Sequence, residues 1–185
     1  FKIFCNNQPY ILTIFEKRVT EEELPFFINL KNFLNTNDFK CPKAISDKNG
    51  KILKKIKDKT AVIISFLEGK SVEKPNVEMC GEVGKMIANL HNLTSKFEEK
   101  RPNSLDLKDW KEIYIKCLNN ESEKFNEIMH LLKNEIDYLE NNWPNNIPRG
   151  VIHADLFRDN IFFKNEKISG VIDFYFSCYY FYVYD

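Results

Sequence analysis

Three oxygen-bearing side chains stand at spacings that suit phosphoryl transfer. Asp155 and Asn160 lie five residues apart in Val151-Ile152-His153-Ala154-Asp155-Leu156-Phe157-Arg158-Asp159-Asn160, and Asp173 follows thirteen residues later in Val171-Ile172-Asp173-Phe174. Moving a phosphoryl group from a nucleotide to an alcohol needs a carboxylate that orients the hydroxyl and accepts its proton. It also needs hard oxygen ligands that hold Mg²⁺ on the phosphates. Asp155 is the catalytic candidate, and Asn160 and Asp173 are the metal-ligand candidates. His153 is expected to pack and hydrogen-bond within the loop rather than to act as the base. An isolated H-x-D is common, and loop Asp and Asn residues often only form turns. The whole H-x-D-x4-N-x12-D pattern, set between β-prone runs, is far more specific.

The elements that must position these groups can be read around them. Runs 161–163 and 168–172 flank the turn Lys164-Asn165-Glu166-Lys167. A hairpin there opens at Asn160 and closes at Asp173, which points both to one end. Residues 1–5 and 10–15 read as strands joined by the four-residue loop Asn6-Asn7-Gln8-Pro9. Thr20 and Glu23 form a capping-box pattern ahead of Leu24, Phe27, Leu30 and Leu34 at helical spacing, with Phe26 and Phe33 beside them. Ile52-Leu53 and 61–66 read as strands about the turn Lys57-Asp58-Lys59, and Leu67-Glu68-Gly69-Lys70 breaks the pattern.

The chain then reads as helical to residue 150. Val77, Cys80, Gly84, Ile87 and His91 share one face, Trp110, Ile113, Tyr114 and Cys117 a second, and Phe125, Met129, Leu132, Ile136 and Leu139 a third. Trp143-Pro144 to Pro148 is the stop before the catalytic segment. His91 is expected to pack or cap, and His130 to be solvated.

Composition narrows the partners. The 185 residues carry 27 basic and 27 acidic side chains, and this balance argues against a nucleic-acid binder or a basic membrane-surface protein. The hydrophobic fraction of 43% supports a sizeable core rather than disorder. Five scattered cysteines without a C-x-x-C pair argue against a zinc site or a disulfide framework and fit a reducing compartment. No apolar run reaches the roughly 18 residues of a membrane span, and no signal peptide is apparent, so a cytoplasmic location is expected. Phe1 already reads as strand, and Phe181-Tyr182-Val183-Tyr184-Asp185 stops in an apolar run. The chain is therefore expected to be a fragment cut at both ends.

The pattern resembles the aminoglycoside/choline kinase-like group, relatives of protein kinases. Gly150 to Asn160, Ser169 to Phe176 and Tyr10-Ile11-Leu12-Thr13-Ile14-Phe15-Glu16-Lys17-Arg18 are similar, more narrowly, to homoserine kinases of that fold. Glu22-Glu23-Leu24-Pro25-Phe26-Phe27 and Ser65-Phe66-Leu67-Glu68-Gly69-Lys70 share the likeness. The resemblance runs through nearly the whole chain.

It implies an α+β, bilobal protein kinase-like fold. Residues 1–64 would form an incomplete β-rich lobe, 65–69 a hinge, and 70–185 an incomplete helical catalytic lobe. Backbone groups near Ser65 and Leu67 would meet adenine. The implied reaction transfers the ATP γ-phosphate to the hydroxyl of L-homoserine with Mg²⁺ as cofactor, a step towards threonine. The alternatives are a kinase for choline, an aminoglycoside or another small hydroxylated amine, and an inactive nucleotide-binding fragment.

The departures from the family are specific. Phe1 matches its second strand. The kinase lysine of the third strand falls near Thr13, which has no charge. Lys17 shares that strand face but lies roughly 13 Å further along at ~3.3 Å per residue. Glu23 would be the helix partner of such a lysine, or a capping residue. Arg158, inside the loop, is a candidate anchor for a substrate carboxylate, or else a loop-stabilising partner of Asp159 or another acid. Tyr175 is a candidate wall of the acceptor pocket, and Cys178 is expected to be a buried thiol.

Overall fold

The computed structural model describes residues 1–16, 19–118 and 123–185. Lys17 and Arg18 lie outside the described residues. The chain divides into two compact units, one of residues 1–101 with 149–185 and one of residues 102–148.

The first unit begins with a four-stranded antiparallel sheet in the order β1-β2-β4-β3, formed by β1 (Lys2–Cys5), β2 (Gln8–Ile14), β3 (Lys54–Ile56) and β4 (Lys59–Ser65). The β1–β2 turn is tighter than the expected four-residue loop. Only Asn6 and Asn7 form it, both at positive φ (48° and 62°), and Gln8 and Pro9 join the strand. Asn tolerates that left-handed geometry, and a turn of this hand matches the twist of the strands it joins. Lys57 and Asp58 make an equivalent two-residue turn between β3 and β4. The strand expected at Ile52-Leu53 begins two residues later. Those two side chains instead pack against the cluster of Ile28, Ala44 and Val62.

Helix α1 (Leu24–Thr36) follows β2. Its buried face carries Leu24, Phe27, Leu30 and Leu34, as the spacing predicts, and also Lys31. The Thr20 backbone N–H and hydroxyl both donate to Glu23, at 3.1 and 3.2 Å, one turn ahead of the helix.

Helix α2 (Val77–Thr94) starts on an Asn76 cap. It buries a different face from the one expected. Met79, Leu90 and Thr94 are buried, with Val83 and Met86 partly so, whereas Val77, Cys80 and Gly84 face solvent. Both stripes have helical spacing, and the larger side chains of the 79–83–86–90 stripe fill the gap against the catalytic hairpin better than Cys80 and Gly84 could.

That hairpin is β6 (Ile161–Lys164) and β7 (Lys167–Val171), closed by Asn165 and Glu166 in left-handed geometry. A further strand, β8 (Cys178–Phe181), pairs antiparallel with β5 (Arg149–Ile152). The main core of this unit joins Phe27, Leu30 and Leu34 to Leu90, Val151, Val171 and Phe174.

The second unit holds α3 (Leu107–Cys117) and α4 (Glu123–Asn142). Asp106 and Asp109 form a reciprocal capping box at the start of α3. Trp110 meets Trp143 edge to face at 5.7 Å. Met129 is buried, while Leu132 of the same predicted stripe is largely exposed. No helix of the described residues is long and apolar enough to cross a membrane.

Candidate active site

The loop that carries Asp155 runs from β5 to β6. His153 has no exposed surface. Its Nδ1 accepts from the Asp155 backbone N–H at 3.2 Å, so Nε2 carries the proton and donates to the Ile172 carbonyl at 2.9 Å. Burial pushes the imidazole below its usual pKa, against weaker opposing pulls from the Ile172 carbonyl and nearby carboxylates. His153 is thus a neutral strut between the loop and the end of β7, as expected.

Ala154 takes a left-handed φ of 64°, which turns the chain sharply before Asp155. Asn160, at the end of a 3₁₀ turn (Arg158–Asn160), donates from Nδ2 to the Asp155 carbonyl at 2.8 Å and to the Asp155 carboxylate at 3.0 Å. Across the hairpin end, the Ile172 N–H donates to the Asn160 carbonyl at 2.9 Å. Asp173 follows immediately, itself at a left-handed φ of 62°. The loop therefore gathers Asp155 and Asn160 in direct contact and sets Asp173 beside their backbone. Strain of about 1–3 kcal/mol at a non-glycine left-handed residue is the kind of cost that clusters at functional loops.

Asp173 opens into a cavity of about 430 Å³ whose wall comprises Ile11, Thr13, Pro42, Ile64, Ser65, Phe66, Leu67, Phe162, Ile172 and Tyr175. Ser65 and Leu67 are thus brought to the same cavity as Asp173. The Ser65 hydroxyl accepts from the Lys43 N–H at 2.9 Å, and its own N–H donates to the Lys43 carbonyl at 2.8 Å. The backbone of Leu67 makes no hydrogen bond among the described residues, which leaves it open to a flat heterocycle. Gly69 ends this stretch at φ 114°. A Cβ there would meet the Ser169 hydroxyl at 2.5 Å and the Phe163 carbonyl at 2.7 Å, so the connector lies tight on the hairpin.

Arg158 stands apart from this group. It is exposed, donates to the Glu73 carbonyl and does not line the cavity. Lys17, a strand lysine that could partner Glu23, lies outside the described residues, and no other strand lysine pairs with Glu23 among the described ones. Glu23 pairs with Arg101 at 2.7 Å. Burial works to raise its carboxyl, but Thr20 and Arg101 outweigh it and hold the group below the ordinary range.

Two groups went unread in the sequence. Asp185, fully buried, accepts from the His153 and Ala154 N–H groups at 3.0 and 2.7 Å and from His91 Nε2 at 2.9 Å. It fixes the loop from beneath. Its position at the last residue gave no pattern to read. Lys31 is 3% exposed and donates to the Tyr175 hydroxyl at 3.1 Å, with the ammonium 4.7 Å from the Tyr175 ring centre. A lysine inside the apolar stripe of α1 was the signal that could have found it.

The donor set suits a small hard cation. Asn160 and Asp173 offer an amide and a carboxylate oxygen, as Mg²⁺ takes from proteins when phosphates and waters complete its shell. No group of three or more His, Cys, Asp or Glu residues placed to hold a metal occurs among the described residues.

Comparison with known proteins matches residues 3–185 to the model of the phosphotransferase enzyme family. The homoserine kinase of Agrobacterium fabrum is 42% identical over 178 residues, covering 96% of this chain and 55% of that protein. The homoserine kinase of Bartonella henselae is 40% identical over 185 residues, covering 100% and 58%. The chain thus spans little more than half the length of these curated relatives. Among solved structures, an amicoumacin kinase in complex with AMP-PNP, Ca²⁺ and its ligand superimposes with a TM-score of 0.74 at 16% identity, covering 95% of this chain and 55% of that one. A spectinomycin phosphotransferase in complex with ADP and spectinomycin gives 0.73 at 15% identity, covering 100% and 61%. At those identities the likeness speaks for the fold, which is α+β and protein kinase-like, as the sequence resemblance implied.

Proposed function

The chain belongs to the phosphotransferase enzyme family, and from that premise we propose that it is the nucleotide-binding and catalytic part of an ATP-dependent small-molecule kinase whose acceptor is L-homoserine. The observation that carries the reading is the joining of Asp155 to Asn160, with Asp173 next to the residue that bonds the Asn160 carbonyl and on the wall of a cavity shared with Ser65 and Leu67. The acceptor rests on relatives named homoserine kinase at about 40% identity over nearly the whole chain. Residues 1–64, 65–69 and 70–185 take the roles of β-rich lobe, hinge and catalytic lobe.

In this reading the adenine lies against the backbone near Ser65 and Leu67. Asp155, one carboxylate oxygen already held by Asn160, accepts the acceptor's hydroxyl proton. The oxygen so freed forms a bond to the γ-phosphorus as the bond to the β,γ-bridging oxygen breaks, and the electron pair leaves with ADP. Asn160 and Asp173 would hold Mg²⁺, which would supply charge neutralisation on the phosphates. Tyr175, beside Asp173 on the cavity wall, stands where the acceptor hydroxyl and the γ-phosphate would meet. Arg158 is the anchor offered to the homoserine carboxylate once it leaves the Glu73 carbonyl.

The test is ADP release by the intact protein with L-homoserine, choline and an aminoglycoside as acceptors. L-Homoserine is expected to be the preferred acceptor, and Asp155→Ala to lower turnover by 10²-fold or more while Mg-ATP still binds. Undiminished turnover in that variant would sink the assigned role, and preference for choline or an aminoglycoside would sink the acceptor.

A further inference from the structure

Among the described residues, no cation lines the cavity beside Asp173. Asp173 is the one charged residue among the described ones on its wall, and Thr13 lines it from β2. A triphosphate seated there would meet a carboxylate and an apolar surface. A buried cation, Lys31, contacts one residue of that wall. Its ammonium is held against Tyr175, which lines the cavity.

Three features of this contact point to a ligand. First, an ammonium has three donors, and Lys31 uses one among the described residues, towards Tyr175. Burying a charge so sparsely bonded is costly unless a counter-charge completes it. Second, the two ionisable groups that act on Lys31 are Cys41 and Asp173. Burial pushes the Cys41 thiol up to about 12, so it stays neutral, and Asp173 remains as the negative partner on the cavity side. Third, the Tyr175 oxygen accepts from Lys31, and the same hydroxyl is hydrogen-bonded to Thr13, which also lines the cavity, so a chain of polar groups runs from the ammonium to the cavity wall. Hydrogen bonds in such a chain strengthen one another, and a field from an ammonium with 3% exposure is little screened by water.

We propose that Lys31, acting through the Tyr175 hydroxyl, is the cation of the phosphate subsite, so that positive charge reaches the nucleotide from helix α1 rather than from strand β2. Lys31 is a positioning residue here, since the group that meets phosphate is the Tyr175 hydroxyl. The inference rests on the kinase reading and adds to it the source of phosphate affinity.

The discriminating measurement is calorimetry on the intact protein with adenosine, Mg-ADP and Mg-ATP, for wild type, Lys31→Met and Lys31→Gln. Adenosine reports on the fold and the hinge, and a residue that only fills the core would not change the ratio between ligands. The expected result is unchanged adenosine affinity with the Mg-ATP-over-adenosine ratio reduced about tenfold, one charge-assisted contact being worth that much. Two neutral variants of different polarity guard against one that fails to fold. If the wild type prefers Mg-ATP and both variants keep the full ratio, the inference falls while the kinase reading stands. If the wild type binds Mg-ATP no better than adenosine, both fall.

Discussion

Two buried polar centres flank the candidate site, and they are built on opposite plans. Beneath the catalytic loop, Asp185 receives hydrogen bonds from His153, Ala154 and His91, while both nitrogens of His153 have partners of their own. Behind the cavity, Lys31 carries a full charge on a single hydrogen bond to Tyr175. The first centre is densely bonded, with three donors on one carboxylate. The second is under-coordinated and faces the place where a polyanion would sit. Dense bonding marks a scaffold, and a buried charge with spare donors marks a binding function.

The contrast predicts opposite signs on mutation. Asp185→Ala leaves two backbone donors and His91 without their acceptor, and about 3–5 kcal/mol of stability should be lost, as when one partner of a buried pair is removed. Denaturant unfolding checks this, and a loss under 1 kcal/mol would remove the scaffold role. Lys31→Met should do the reverse. Burial pushes the Lys31 ammonium down from 10.5 to about 8. Keeping it charged at pH 7 therefore costs on the order of 3 kcal/mol, and the variant should melt several degrees higher. Between pH 8 and 10.5 the folded wild type sheds this proton while the unfolded chain retains it. Wild-type stability gains on the variant through that window, and the difference in melting temperature should close. A variant that melts lower at pH 7 would place Lys31 with the scaffold instead.

The smallest effect is the acid response of the densely bonded centre. The folded state keeps His153 neutral, so the unfolded chain binds the extra proton as pH falls below the ordinary value of 6.5. Stability should decline by about 1 kcal/mol per pH unit in that range on this account, and a His153→Gln variant should show a shallower slope. Parallel slopes would assign the acid sensitivity to another group.

The same contrast separates what the chain made legible from what it hid. Asp155, Asn160 and Asp173 were readable because a hairpin with β-prone arms leaves only one way to bring positions 160 and 173 together. For Ser65 and Leu67 the residues themselves showed only a break after an apolar strand, and their place near a nucleotide came from the resemblance. Lys31 was passed over because apolar spacing draws attention to Phe27, Leu30 and Leu34, and a lysine among them looks like the edge of the stripe. Asp185 could not be read, since its partners lie on a helix and a loop 94 and 31–32 residues away. The buried face of α2 was misjudged because two stripes share one helical period, and only the surface it meets chooses between them. The tail from Cys178 was read as an apolar cluster rather than a strand, because its partner β5 precedes it by nearly thirty residues.

Gly150 lies outside the cavity and close to the loop. A methyl group at that position would fall 2.1 Å from the Tyr182 hydroxyl oxygen, and Tyr182 stacks on His91 at 4.5 Å between ring centres. Displacing that ring would unseat the imidazole that braces Asp185, and with it the amides that shape the turn into Asp155. One hydrogen atom in place of a side chain at position 150 thus holds open the space on which the posture of Asp155 depends.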